Sequence, residues 1–336
     1  MTLPITPDPT WEIKDSSKLD TWIRCKRWYF YEYILGWRLD YPNHDLHFGH
    51  AWHIAREHQL LYGYEDIQGA YNKSIDYYRQ VFSPEDDEVN KPKTPTAILV
   101  ALMKFNEERS NDLVENEVVV LDDTKMTEIS GTVPVDEDRF LYYRMDSIMR
   151  RREDERIFSW DHKTTHEKYL NSRYWDEQFH LSLQNGTYTH CLYCMFPIES
   201  VLGIEFCGTG FTFLSRGSSA RSAGYHASFR RVPAFKTPDQ MNTWLWTVNT
   251  LLDEIDRDMD RLFHCKESDP VLMAFPMNPS SCTDFRGCPY HDFCLAWQNP
   301  LQMCYEPPIG FKIEFWDPSA METRVKKNLE WIGGDN

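Results

Sequence analysis

Long hydrophobic runs are missing from this sequence of 336 residues. Its longest apolar stretches, 97–103 and 118–121, fall far short of the roughly 18 residues that a membrane-spanning helix needs. The first residues, MTLPITPDPTWEIKDSS, lack the basic-then-apolar layout of a secretory signal. We therefore expect a soluble, cytoplasmic protein whose nine cysteines are free thiols or metal ligands rather than a disulfide framework.

Several common catalytic motifs are absent as well. The sequence has no GxxxxGK[ST] and no Gly-Lys dipeptide, which excludes the usual phosphate loop of ATP motors. Neither HExxH nor GxSxG occurs, so the simplest zinc-protease and serine-hydrolase sites are excluded too. Positive charge is also scarce, because 36 Lys and Arg stand against 52 Asp and Glu, a net charge of −16. A surface coated in basic residues is therefore excluded.

The segments that are present have helical or strand-like patterns in a clear order. Apolar residues at helical spacing predict helices over 16–35, with Ser16 or Ser17 as the N-cap, and over 46–61, 67–81, 96–108, 172–195 and 237–265. Alternating and β-branched stretches predict strands over 117–121, 126–135, 140–149, 156–163, 201–214 and 225–235. We therefore expect an α/β fold with a mixed central sheet flanked by helices, followed by an irregular segment rich in Pro and Cys.

An acid and a lysine lie two residues apart in IFSWDHKTT. In a strand, Asp161 and Lys163 share one face, where the carboxylate can hold Mg²⁺ or Mn²⁺ and the ammonium can steady a water or a phosphate charge. By itself the pattern also fits an ion pair on a solvated strand. Asp146 lies on the preceding predicted strand, across the RRREDER turn, and a hairpin would bring it beside Asp161. Two carboxylates so placed suit metal-assisted hydrolysis of a phosphodiester.

Four motifs, in this order, resemble those of the PD-(D/E)XK nuclease superfamily: Gly49-x-x-x-His53, Asp146, Asp161-x-Lys163 and Gln184-x-x-x-Tyr188. The resemblance is to its RecB-like exonuclease branch, with lambda exonuclease relatives, AddB-type nuclease domains and the CRISPR-associated iron–sulfur exonucleases. It implies a restriction-endonuclease-like core that binds Mg²⁺ or Mn²⁺ through His53, Asp146, Asp161 and the His162 carbonyl. It also implies a set of catalytic residues, namely Asp146, Asp161, Lys163, Gln184 and Tyr188.

The residues by themselves leave alternatives open. His50 and His53 share one helical face, so the two can be confused, and either also fits an ordinary buried hydrogen-bonding histidine. Gln184 and Tyr188 lie one turn apart, which also fits routine helix packing.

Three cysteines occur at equal spacing in SSCTDFRGCPYHDFC, namely Cys282, Cys288 and Cys294. The resemblance to AddB-type proteins implies that they and Cys25 bind a [4Fe–4S] cluster with a structural role. The wide gap before Cys288 leaves alternatives: Cys265 or Cys304 as a ligand, zinc in place of iron, or buried thiols.

Positive charge is unevenly distributed along the chain. The range 206–238 contains no Asp or Glu, and a second basic cluster lies beside aromatic residues near position 28. Such residues can contact phosphates while aromatics stack on bases, although a solvated face around an aromatic core fits equally. The predicted DNA-binding residues are Arg24, Lys26, Arg27, Arg216, Arg221, Arg230 and Arg231.

The resemblance implies a metal-dependent DNA exonuclease of recombination, repair or phage DNA processing, with a helicase or a single-strand annealing protein as a partner. The alternatives are a non-catalytic DNA-binding or assembly subunit with an iron–sulfur clamp, and an endonuclease. We expect an N-terminal helical region over 1–110, a nuclease core over 111–265, and a cluster segment with a tail over 266–336.

Overall fold

The computed structural model describes residues 4–217, 221–284, 287–320 and 323–330. Within these ranges no helix is long and apolar enough to cross a membrane. Parts of the predicted segments lie outside the described residues, namely 1–3 of the N-terminal region, 218–220 of the acid-free range, 285–286 of the cysteine segment, and 321–322 and 331–336 of the tail.

The first helices are shorter than their pattern predicts. Helix α1 (Ser16–Arg24) is capped by Asp15, whose carboxylate accepts a backbone N–H, rather than by Ser16 or Ser17. The single predicted helix is interrupted at Cys25, where the backbone is extended. It resumes as α2 (Lys26–Tyr29) and a π-helical turn, Phe30–Ile34. The break places the Cys25 side chain at a helix junction.

A layer of three longer helices follows, and it confirms the predictions for this region. The elements are β1 (Trp37–Leu39), α3 (His44–Tyr62), α4 (Ile67–Tyr78), α5 (Pro95–Arg109) and the one-turn α6 (Asp112–Glu115). Phe48, Trp52 and Leu102 are fully buried in a core between these helices and the sheet.

The predicted strands form one mixed sheet and a separate short two-stranded sheet. Their bounds are β2 (Asn116–Val118), β3 (Val120–Leu121), β4 (Thr124–Lys125), β5 (Thr127–Pro134), β6 (Phe140–Arg151), β7 (Ile157–His166), β8 (Val201–Leu214) and β9 (Gly224–Phe235). Strand β6 is antiparallel to both β5 and β7, β8 is parallel to β7, and β9 is antiparallel to β8. Strand β2 pairs with β6, and β3 pairs only with β4. The predicted α/β class with a mixed sheet is confirmed.

A helical crossover joins the parallel pair β7 and β8, as parallel pairing requires. It consists of α7 (Glu167–Leu170), α8 (Arg173–His180) and α9 (Leu183–Met195), so the single helix predicted over 172–195 is two helices. The second begins at Ser182, whose hydroxyl caps α9 by accepting the Asn185 N–H (3.2 Å).

Both faces of the sheet are covered by helices. On β8, Phe206 packs in the core that contains α9 and α10 (Pro238–His264), whereas Cys207 faces the α3 and α5 side. Alternation along the strand explains the division. Helix α9 therefore lies on one face of the sheet and α3 on the other.

The C-terminal segment packs on the N-terminal aromatic residues. It contains α11 (His291–Ala296), β10 (Phe311–Ile313), which pairs with β1, and β11 (Val325–Lys326), which adds a parallel strand beside β5. The Tyr290 hydroxyl donates to the Trp37 carbonyl (2.6 Å). Most of this segment is irregular, as predicted, but these contacts join both ends of the chain.

Candidate active site

Three carboxylates lie at one level on adjacent strands. Ser147 of β6 pairs with Thr127 of β5 on one side and with Trp160 of β7 on the other. The neighbouring residue Asp146 is therefore flanked by Glu128 and Asp161. Glu128 has a positive φ of 45°, which is rare for a non-glycine residue and interrupts the β5 ladder at this point.

His53 reaches this row from helix α3, which contacts β5, β6 and β7. Its Nδ1 lies 3.0 Å from Oδ1 of Asp146. Burial lowers the pKa of His53, but Asp146, together with Glu128 and Asp161, outweighs burial and raises this pKa to about 9. His50, which the pattern could not separate from His53, instead packs its ring on Tyr77, and burial lowers its pKa to about 4. Of these two histidines, His53 is the one paired with Asp146.

A set of ligand atoms suited to a metal ion lies here. His53, Glu128 and Asp146 each offer one atom, and these atoms lie within 4.8 Å of one another. Glu128 was not among the residues predicted from the sequence. The sequence did contain a signal for it, because Glu128 is an acidic residue inside the strand pattern 126–135, one hairpin before Asp146. The Arg144 guanidinium donates to Glu128 Oε2 over 3.0 and 2.7 Å.

Asp161 is adjacent to this set and contacts a different group of residues. Its Oδ2 lies 2.8 Å from Lys163 Nζ, and its Oδ1 lies 3.5 Å from the Gln184 amide nitrogen. Gln184 also donates to the Tyr188 hydroxyl (3.0 Å). Burial, with a further contribution from Asp146, raises the pKa of Asp161 although Lys163 opposes the shift. The structure thus brings together the residues of the predicted third and fourth motifs.

His162 contacts the site through its backbone. Its N–H donates to Asp146 Oδ2 (2.6 Å). The imidazole is buried, and burial together with the nearby Arg56 charge lowers its pKa well below the ordinary value. Burial alone would raise the pKa of Asp146, but His53 and the His162 N–H hold it well below its usual range. Asp146 is therefore ionised at neutral pH.

A cavity of about 340 Å³ opens beside the Asp161–Lys163 pair. Its wall is formed by the start of α1, by β6, β7 and α9, and by the C-terminal segment around Trp316. Lys163, Gln184 and Tyr188 all line it, and the first two also contact Asp161, so the cavity adjoins the row of carboxylates.

The four cysteines predicted as cluster ligands lie near one another. Burial, with smaller contributions from the thiols of Cys25, Cys288 and Cys282, raises the pKa of Cys294 to about 11 although Arg27 opposes the shift. The Cys288 N–H donates to the Cys282 carbonyl (3.0 Å), and Cys25 Sγ accepts the Asn278 N–H (3.4 Å). The helix break at Cys25 therefore faces the C-terminal loop.

Two buried side-chain atoms beside these thiols, on two different residues, have no hydrogen-bond partner among the described residues. They are Nη1 of Arg27 and the hydroxyl of Tyr31. Both groups lie close to Cys294. Burial raises the pKa of the Tyr31 hydroxyl and Cys294 adds to this shift, whereas the Arg27 charge lowers the pKa of Cys294. Buried donors of this kind normally have an acceptor.

The other cysteines make local contacts. Cys265 and Cys304, the alternative ligands, each donate to a carbonyl of a nearby residue (3.3 and 3.2 Å). Cys194 lies 3.9 Å from His190 Nε2 on its own helix.

The predicted DNA-binding residues near position 28 contact other parts of the protein. Arg24 lies over the Trp28 ring and Lys26 pairs with Glu254 (2.7 Å). Arg27 is only 4% exposed, and its Nε donates to the Phe275 carbonyl. Arg27 therefore offers no surface for a phosphate in this conformation.

The basic residues of the acid-free range are mostly paired with acids from elsewhere in the chain. Arg221 pairs with Glu167 (2.8 Å), Arg230 with Asp176 and Arg231 with Asp112, and Arg216 is exposed. Binding of a phosphate by the paired residues requires exchange of an existing ion pair.

Comparison with protein families matches residues 16–295 to the PD-(D/E)XK nuclease superfamily. The match covers the carboxylate row, the cavity-lining residues of α1 and α9, and the cysteines from 25 to 294. A search of curated proteins finds no match.

Proposed function

The chain belongs to the PD-(D/E)XK nuclease superfamily, and on this premise we propose that it is a RecB-like DNA exonuclease that uses Mg²⁺ or Mn²⁺. The main support is that His53, Asp146, Asp161 and Lys163 lie side by side, so that candidate metal ligands are next to an ammonium group. DNA recombination, repair or phage DNA processing is the proposed setting. A helicase or a single-strand annealing protein is the proposed partner, since the sequence has no phosphate loop of an ATP motor.

The donor atoms fit a divalent cation of this kind. His53, Glu128 and Asp146 supply nitrogen and carboxylate oxygen within 4.8 Å of one another, a donor set that suits Mn²⁺ and Mg²⁺. They would hold the ion with Asp161 beside it and the His162 carbonyl as a further candidate ligand. A bound ion would polarise the phosphate and lower the pKa of a bound water.

The protein's own side chains have separate tasks in the proposed hydrolysis. The buried Asp161 carboxylate holds Lys163 at the edge of the cavity, where the ammonium orients the attacking water and stabilises negative charge on a phosphate oxygen. Gln184 bridges Asp161 and Tyr188 and thereby orients the carboxylate. The oxygen of water bonds to phosphorus and loses a proton to solvent, while the bond from phosphorus to the leaving sugar oxygen breaks and that oxygen takes up a proton from solvent.

We further propose that Cys25, Cys282, Cys288 and Cys294 bind a [4Fe–4S] cluster. The residues fit this group, because the thiols adjoin one another and the unpartnered donors of Arg27 and Tyr31 lie beside them. A cluster with four thiolates is anionic, so it would accept hydrogen bonds from these donors. Its role would be to join the α1–α2 break to the C-terminal loop.

The exonuclease assignment predicts a requirement for DNA ends. We expect the protein with Mg²⁺ or Mn²⁺ to degrade linear duplex DNA and to leave covalently closed circular DNA intact, and chelator to stop the reaction. End-labelled DNA on denaturing gels provides the measurement. Cleavage of the circle would instead establish an endonuclease, and binding of linear DNA without cleavage would establish an assembly subunit.

Replacement of Glu128 tests the ligand that the sequence did not reveal. We expect Glu128→Gln to raise the Mg²⁺ or Mn²⁺ concentration needed for half-maximal activity by about 10- to 100-fold, because one anionic oxygen ligand is lost. The control is Glu137→Gln, the same chemical change in an exposed turn. An unchanged metal dependence in the first variant would remove Glu128 from the ligand set.

A further inference from the structure

The cavity beside Lys163 is lined by two chemically distinct sets of residues. Lys163 and Arg144 are cationic, and each pairs with a carboxylate of the row, Asp161 and Glu128 respectively. Trp316 and Tyr142 are aromatic and are joined to the segment just before α1, through Asp15 and Lys14. The cavity wall thus combines a cationic set beside the carboxylate row with an aromatic set beside the start of α1.

The aromatic residues Trp316 and Tyr142 are held in place by contacts with neighbouring residues. The Trp316 indole N–H donates to Asp15 Oδ2 (2.7 Å), and the Arg38 guanidinium lies 5.4 Å from the centre of the indole ring. The Tyr142 N–H donates to the Lys14 carbonyl (2.8 Å), so this part of β6 is joined to the segment before α1. Trp316 is half-buried and lines the cavity. A ring held in this way can stack on a planar ligand that enters the cavity.

The size of the cavity limits what it can accept. About 340 Å³ lies at the lower end of the range for ligand pockets, roughly 300–1,000 Å³, and suits one nucleotide rather than a base pair. A base can enter only after it has left its partner strand, which has an energetic cost at a paired end. The exposed carboxylate of Asp20 at the α1 side disfavours a second phosphate there. The charge distribution therefore orients a nucleotide with its phosphate toward Lys163.

We propose that this cavity binds one unpaired nucleotide of a DNA strand, with its phosphate toward Lys163 and Arg144 and its base against Trp316. The inference rests on the proposed nuclease function and names its substrate: a strand whose last nucleotide is free of its partner. The C-terminal segment then contributes to substrate binding, although it lies beyond all four sequence motifs.

The test compares two linear duplexes of equal length, one fully paired and one with a few mismatched pairs at each end. We expect the wild-type protein to cleave the mismatched-end duplex with the higher kcat/KM, because the cost of unpairing is removed. Trp316→Ala is expected to raise KM for the mismatched-end duplex about tenfold with little change in kcat, since loss of stacking weakens binding. Initial rates over a range of DNA concentrations provide both constants.

Two further variants separate stacking from folding. Trp316→Phe keeps an aromatic ring without the N–H and is expected to retain a KM near that of the wild type, and Trp246→Ala removes an exposed indole from α10 and is expected to change neither constant. Equal kcat/KM for the two duplexes, or a wild-type KM in Trp316→Ala, would overturn the inference. Equal loss of activity in the Ala and Phe variants would overturn it as well. Absence of cleavage of either duplex by the wild-type protein would refute the nuclease function itself, and the inference with it.

Discussion

The Lys163→Met protein is expected to lose nuclease activity by roughly 10²- to 10³-fold, the cost typical of removing one group that stabilises charge in the transition state. Lys163 Nζ is the positive charge closest to the buried Asp161 carboxylate at 2.8 Å, and it lines the cavity. Its loss also leaves Asp161, only 1% exposed, without its ion-pair partner. The already raised pKa of Asp161 would rise further, which weakens Asp161 as an anionic group.

The matched control is Lys168→Met, because Lys168 is an exposed lysine on α7 a few residues away. We expect it to keep wild-type kcat. Cleavage of linear DNA with Mg²⁺ is measured for both, and circular dichroism and thermal unfolding establish that both are folded. Full activity of a folded Lys163→Met protein would refute the assigned role of this residue.

Cys288→Ser is expected to lose most of its bound iron and the associated visible absorption. The serine hydroxyl is a poor ligand for iron, and the binding energy of a structural metal group is also folding energy. We therefore expect the melting temperature to fall by roughly 5–10 °C, since a loss of several kcal/mol shifts the melting temperature of a large domain by a few degrees per kcal/mol. Iron content per chain and thermal unfolding are measured on anaerobically purified protein.

Cys304→Ser and Cys265→Ser are the controls, because both thiols are buried but bond to nearby carbonyls. We expect both variants to retain iron. Loss of iron from either one, with retention in Cys282→Ser, would assign a different fourth ligand. A colourless wild-type protein that contains zinc would refute the iron–sulfur proposal as a whole.

The local residue pattern was sufficient to predict most strands of the sheet. Alternation predicted β8 over the residues that form it, and the turn between β6 and β7 was enough to place Asp146 beside Asp161. These features depend on neighbours in sequence or on a single hairpin, where side-chain direction follows directly from the backbone. The breaks at Cys25 and before Ser182 were missed, because each lies inside a continuous helical pattern.

The remaining parts of the site depend on contacts between distant segments. The choice of His53 over His50 follows from how α3 packs on the sheet, and the direction of Glu128 follows from a local irregularity in β5. The position of Trp316 depends on a C-terminal segment that returns to Asp15, some 300 residues earlier. The sequence by itself therefore determined the elements and the acid–lysine pair, since both are local. Only the tertiary structure decided which candidate metal ligands, cavity-lining residues and cysteines lie close together. Packing, not periodicity, sets the distance between residues that are far apart in the chain.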